Sequence, residues 1–168
     1  MPVMRVEFYK GDEGRLCGWV ATPPKRRPFQ GTTMAASRDL PHDLTQFLIE
    51  RALDIRDGFW GLLANGGSFA SVPGRRPTRA GRALVRAHQA ALMTVEGVVN
   101  GHYYAWKRGA GTPVAAALDA TYAGWLALAN GDRLVLEWPV HRLPGESAQR
   151  GTGMHQAHPA HGLRRQLR

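Results

Sequence analysis

Cysteine is almost missing from this chain: Cys17 is the only one in 168 residues. No intrachain disulfide can form, which fits a reducing cytosol. Beside Trp19 in an expected strand, Cys17 reads as a buried structural thiol rather than a nucleophile, since free cysteine is among the most buried residue types. Long apolar runs are missing as well. Nothing reaches the roughly eighteen residues that a spanning helix needs. The opening stretch MPVMRVEFYKGDEG has no uninterrupted apolar core, so no signal peptide is evident. These features predict a cytoplasmic protein with no membrane role. The chain carries no Walker pattern, no Gly-rich strand-to-helix fingerprint, no HExxH pair and no familiar nucleic-acid module. No internal repeat is evident.

Acidic residues are scarce. Thirteen Asp and Glu stand against 22 Lys and Arg, a formal net charge of +9, and arginine far outnumbers lysine. Such a chain is attracted to nucleic acid or other anionic surfaces. A GC-rich genome would raise Arg, Ala and Gly by codon content, so the charge has a compositional explanation beside the functional one.

The clearest element lies in residues 39–61, DLPHDLTQFLIERALDIRDGFWG. Leu44, Phe47, Leu48, Ala52 and Ile55 fall on one side of a 3.6-residue period. Asp39 is placed to cap, Pro41 sits in the first turn, and Asp43 lies near the positive end. Gly58 is the expected stop. Phe59 and Trp60 then supply an aromatic corner, about 2–3 kcal/mol each if fully buried, so the corner reads as a core anchor. His42, Gln46, Glu50 and Asp54 recur every four residues on the opposite face. Such a line can perform acid–base chemistry or hold a metal, but Gln is a weak ligand, and a solvated polar face is the plainer reading. No metal site and no cofactor is predicted.

This segment resembles a set of small actinobacterial proteins. The residues that carry the resemblance are Asp39, Leu40, Pro41, His42, Asp43 and Leu44, then Phe47, Glu50 and Leu53, then Gly58, Phe59, Trp60 and Gly61. In those sequences the position of Gln46 is often a second histidine, and this chain departs from that. The resemblance covers about the first two-thirds of the chain, is strong only here, and implies no activity.

Before this segment the chain reads as sheet. Residues 3–10 alternate, with Val6 and Phe8 against Arg5, Glu7 and Tyr9. A GDEG turn leads to residues 15–22, completing a hairpin. There Leu16, Gly18 and Val20 share one face and Cys17 and Trp19 the other. Gly18 marks a bulge or a close backbone approach. Three prolines, Pro23, Pro24 and Pro28, interrupt the pattern around Lys25, Arg26 and Arg27. Residues 29–36 form a third short strand or an extended arm.

After the segment, helices dominate. Residues 62–69 make a helical turn ended by Asn65-Gly66-Gly67. Residues 70–82 form a basic loop entering a helix, with Arg75, Arg76, Arg79 and Arg82 close together. Backbone N–H groups at a helix start favour anions, and arginine forks fit phosphate. This is the leading anion-binding candidate, with Lys25, Arg26 and Arg27 assisting. No aromatics interleave with the arginines, so base stacking is not expected. Residues 78–106 keep helical spacing, with a kink or split expected at Gly97 and Asn100-Gly101. His88 falls on its apolar side as a hydrogen-bonded core histidine, and His102 to Trp106 form an aromatic-rich end. Thr112-Pro113 opens another helix, with Val114, Leu118, Tyr122, Trp125 and Leu126 as its stripe. Residues 133–140 form a last strand for which the hairpin is the natural partner. Residues 144–168 read as a disordered basic tail. His155, His158 and His161 within it suggest adventitious metal affinity at most.

The expected fold is therefore α+β. A small, mostly antiparallel sheet, made of the N-terminal hairpin plus a late strand, packs against about four helices in one domain spanning residues 1–143. Three functional readings follow. Foremost is a cytosolic binding or regulatory protein that contacts nucleic acid or another polyanion through the arginine-rich loop. Next is a small enzyme using His42 with Glu50 or Asp54. The third is a structural or oligomeric protein that meets a protein partner through exposed Trp and Tyr. Binding ranks above catalysis because no nucleophile–base–orienter set is visible. Convergence of His42, Glu50, His88 and His102 in one concavity would reverse that order.

Overall fold

The computed structural model describes residues 1–145. Sheet comes first. β1 (Val3–Gly11) and β2 (Leu16–Thr22) form an antiparallel hairpin across a short 3-10 turn. Two two-residue strands, β3 (Phe29–Gln30) and β4 (Met34–Ala35), pair with the outer side of β2. The late strand β5 (Arg133–Pro139) pairs antiparallel with β1, so the long path through the sheet is β3-β2-β1-β5. The architecture is α+β, with an antiparallel sheet and, among the described residues, five α-helices. The expected partner of the last strand is the observed one.

Alternation along β1 decides which face is covered. Met4, Val6 and Phe8 are buried, as are Cys17, Trp19 and Ala21 of β2. Register places Phe8 between Trp19 and Leu134, and Met4 beside Trp138. Such cross-strand aromatic and aliphatic pairs are the stabilising unit of a sheet. On the other face, the Tyr9 ring lies over Gly18. A Cβ there would come within 2.7 Å of the Tyr9 hydroxyl, so the glycine marks a close approach rather than a bulge.

Two helices cover the inner face. α1 (His42–Ala52) and α2 (Phe59–Ala64) bring Phe47 and Trp60 onto the sheet. The Trp60 ring lies 4.9 Å from Trp19, 5.1 Å from Phe47 and 5.8 Å from Phe8, each edge-on. Trp60 has no exposed surface, so the aromatic corner is the core anchor that its composition predicts. Phe59 is only partly buried.

Helix α1 differs from its expected form at both ends. Pro41 occupies the N-cap position without a side-chain cap. Asp39 instead pairs with Lys107 Nζ at 2.5 Å. The helix ends before Gly58, through Asp54 in the left-handed region at φ 52. The Ile55 N–H donates to Glu50 O at 2.9 Å and the Asp54 N–H to Arg51 O at 3.3 Å. That pair of bonds is a Schellman closure, with Asp where Gly is usual.

The remaining helices lie beyond α1. α3 (Arg79–Ala87) and α4 (Gln89–Lys107) are separated by His88, whose Nδ1 sits 3.1 Å from Leu84 O. α4 runs unbroken through Gly97 and Asn100-Gly101, where a kink was expected; the break falls at His88 instead. α5 (Ala115–Ala127) starts at Ala115 rather than at Thr112-Pro113. α4 and α5 both contact α1, burying Val95, Val99, Leu118 and Trp125. Lys10 Nζ reaches the end of α5, donating to Trp125 O at 2.6 Å. A cation at that end meets the negative pole of the helix. The aromatic-rich end of α4 ties to α5: Trp106 Nε1 donates to Asp119 at 2.7 Å, and its ring lies edge-on to Tyr122. Leu143 is buried at the end of the described chain. The expected tail from residue 146 onward, with its three histidines, lies outside the described residues. Among the described residues, no helix is long and apolar enough to cross a membrane.

Candidate functional site: a basic cleft and a mixed cleft

The loop between α2 and α3, residues 65–78, carries the first site. Its arginines meet the proline-bounded loop that follows β2. Arg26 and Arg27 line one wall of a cleft of about 310 Å³, and Arg75, Arg76 and Thr78 line another. The two cationic stretches stand about fifty residues apart in sequence, and only the tertiary fold joins them. Pro23, Pro28, Phe29 and the glycines at 66 and 74 complete the lining. At Gly74 the backbone passes so close to Gln30 O that a Cβ would fall 2.3 Å from it.

Arg75 is the fixed member of this set. Its Nη1 donates to Leu63 O at 2.6 Å and to Gly67 O at 3.3 Å, which ties the last turn of α2 to the loop that follows it. Its guanidinium stacks 4.5 Å over the Phe29 ring, a cation–π contact. Burial pushes its pKa down, and the neighbouring Arg26 charge pushes it the same way. Arg26, Arg27 and Arg76 are exposed. Among the described residues, none of these four makes an ion pair with a carboxylate.

Lys25 stands beside this wall, exposed and in the left-handed region at φ 56. Arg79 and Arg82 lie in the first turn of α3, exposed and outside the cleft lining. That helix starts with Thr78, whose hydroxyl accepts from Gly81 N–H at 2.9 Å. Ser68 Oγ accepts the Thr78 N–H at 3.1 Å, bracing the helix start against the loop.

The proposed acid–base line on α1 does not stay together. Glu50 is fully buried, which corrects the expectation of a solvated polar face. Its carboxylate accepts from the Phe59 and Trp60 N–H groups at 3.0 Å each, and from Gln46 Nε2 at 2.7 Å. Glu50 therefore serves as a distant N-cap for α2, ten residues on, at the positive end of that helix. Gly58 makes this possible: a Cβ there would lie 2.5 Å from Glu50 Cδ. Burial drives the carboxyl up to about 7, against the three N–H donors that favour the charged form. Asp54 points away into solvent and pairs with Arg56 at 2.8 Å, which holds its pKa below the usual value.

His42 meets different partners. It lines a second cleft of about 450 Å³ with Asp43, Gln46 and Glu96. Its Nδ1 lies 3.4 Å from Asp43 Oδ1. That contact raises the imidazole pKa, while partial burial opposes it and Glu96 adds a smaller push upward. Asp43 Oδ2 accepts from Trp19 Nε1 at 2.8 Å, and its backbone oxygen accepts from Trp60 Nε1 at 3.1 Å. His102 lines a separate open groove with Val98 and Pro113, and His88 lies in neither of these clefts. His42, Glu50, His88 and His102 are thus not gathered in one concavity.

Sequence reasoning missed Asp43 as the carboxylate of His42, although its adjacency was available. Glu96 had no local signal, because α4 joins α1 only through the fold. Among the described residues, no three His, Cys, Asp or Glu side chains group as metal ligands. No family model, no curated protein and no solved structure matches the chain.

Proposed function

We propose that this chain is a cytoplasmic binding or regulatory module that engages nucleic acid or another polyanion at the cleft between the two basic loops. The observation that carries this reading is the meeting of Arg26 and Arg27 with Arg75 and Arg76 around one concavity. Like charges brought together without a carboxylate repel one another, and an incoming phosphate relieves that repulsion. Arg75 stiffens one wall through its bonds to Leu63 and Gly67. The exposed arginines beside it are then held toward solvent, where arginine forks meet phosphate oxygens. Phe29 is covered by Arg75, so the contact is with backbone phosphate rather than stacked bases, and sequence preference is weak.

The test is fluorescence anisotropy with a labelled mixed duplex, a single strand and heparin. Four phosphate contacts predict that log K falls with log salt at a slope of about −3 to −4, roughly a hundredfold between about 50 and 200 mM. The triple variant Arg26→Ala, Arg27→Ala, Arg76→Ala keeps the structural Arg75 and should flatten the slope to about −1. No binding to any of the three probes at low salt, or equal binding by the triple variant, defeats the proposal.

The acid–base reading on α1 loses its expected partners, since Glu50 is committed to α2 and Asp54 to Arg56. The oligomeric reading rests on few residues: of the tryptophans and tyrosines in the described chain, only Tyr104 is largely exposed.

A further inference from the structure

We propose that the second cleft, between α1, the α2–α3 loop and α4, binds a small organic amine with an aromatic-sized apolar body. This inference is independent of the polyanion reading and concerns different residues.

The charge of the cleft runs against that of the chain. The protein carries +9 overall, yet this lining holds two carboxylates, Asp43 and Glu96, against one imidazole, His42. The cleft is therefore net negative whichever form His42 takes. Glu96 is exposed on α4 and, among the described residues, makes no ion pair. Asp43 keeps its carboxylate fixed through Trp19 Nε1.

Gln46 adds a neutral acceptor with a defined orientation. Its Nε2 donates to Glu50 Oε1 at 2.7 Å. The same Glu50 oxygen accepts the Phe59 N–H, so the amide nitrogen faces Glu50 and the amide oxygen is left as a free acceptor. Carboxylate, amide oxygen and carboxylate together suit a ligand whose head donates several hydrogen bonds.

The rest of the lining is mostly apolar. Phe59 and Phe69 lie 4.9 Å apart, with ring planes tilted by 49°. Met34, Val72 and Leu92 extend this apolar wall, and Thr32 and Ser71 complete the lining. A volume of about 450 Å³ falls in the usual range for small-molecule sites, which combine apolar walls with few placed polar groups. An ammonium beside Phe59 and Phe69 also gains from the negative faces of the rings. An anion would meet two like charges, and a neutral ligand would forgo the Glu96 attraction.

The experiment compares three ligands with the same ring and different heads: 2-phenylethylamine, 2-phenylethanol and phenylacetate. Binding is followed by amide chemical shifts in the full-length protein. The amine should bind with a Kd on the order of 0.1–1 mM, as its few heavy atoms allow. It should move resonances of residues 42–46, 69–72 and 92–96, and bind at least about fivefold more tightly than either other head. Glu96→Gln, at an exposed helix position that leaves folding intact, should remove most of that preference. Phe69→Ala should weaken all heads, and the amine most, since it also loses the ring face. Failure of the amine to bind, equal binding of phenylacetate or 2-phenylethanol, or an unchanged preference in Glu96→Gln overturns the proposal.

Discussion

Replacing Glu50 by Gln should remove a pH dependence of folding that the wild-type chain carries. The carboxyl has no exposed surface and titrates at about 7 when folded, against an ordinary value of 4.5. Between those values the folded protein holds a proton that the unfolded chain releases, so stability falls as pH rises through this window. Below 4.5 the carboxyl is neutral in both states and carries no penalty; above about 7 the full cost of the buried charge is present. At roughly 1.4 kcal/mol per tenfold change in proton affinity, the loss between pH 5 and pH 8 is about 2–3 kcal/mol. His42, also raised, shifts stability in the same direction, so the comparison must be between chains that differ only at residue 50. Gln keeps the shape but sets an N–H₂ group against one of the three donors, which costs about 1–3 kcal/mol at low pH. Urea titrations at pH 5 and pH 8 give both numbers. The midpoint gap between wild type and variant should close or reverse by about 1–2 M urea, with slopes unchanged. Parallel pH profiles for the two chains would refute the reasoning, as would a gap that widens toward pH 8; the second result would mean that the three N–H donors outweigh burial.

Three further outcomes follow from the same structure. Arg75→Ala should lower stability by about 1–3 kcal/mol through the Gly67 carbonyl it strands and the Phe29 ring it uncovers, while Arg76→Ala should stay within about 0.5 kcal/mol; thermal or urea denaturation separates them. Asp43→Asn should lower the His42 pKa toward its ordinary value, because the hydrogen-bonded carboxylate is the main cause of the upward shift; an imidazole proton titration by NMR reads this directly. Gly58→Ala should cost about 1–3 kcal/mol by driving a methyl into the Glu50 carboxyl, and Glu50→Gln should not rescue it, since the volumes are alike.

Much of the fold could be read from local patterns. Met4, Val6 and Phe8 alternate, Leu44, Phe47 and Leu48 keep helical spacing, and both patterns depend only on neighbours in sequence. The misreadings that matter for the sites share one cause, which is contact between residues apart in sequence. Glu50 looks like a surface residue by periodicity because its partners are the N–H groups of Phe59 and Trp60. Gly58 looks like a helix stop, yet its missing side chain serves Glu50, and the stop falls on Asp54. The basic cleft shows the same limit. Each arginine run was legible alone, but their meeting required β2, β3 and the α2–α3 loop to be in place. Glu96 was invisible as a neighbour of His42 until α4 lay across α1.

Asp43 touches an indole on one side and lines an open cleft on the other. Trp19 therefore sits within a few bonds of whatever fills that space. A charge arriving there changes the electric field along the indole ring, so the intrinsic emission of the native protein becomes a built-in meter of occupancy, with no dye attached. Trp60, hydrogen-bonded to the backbone of the same residue, gives a second channel, and Trp19→Phe tells the two signals apart.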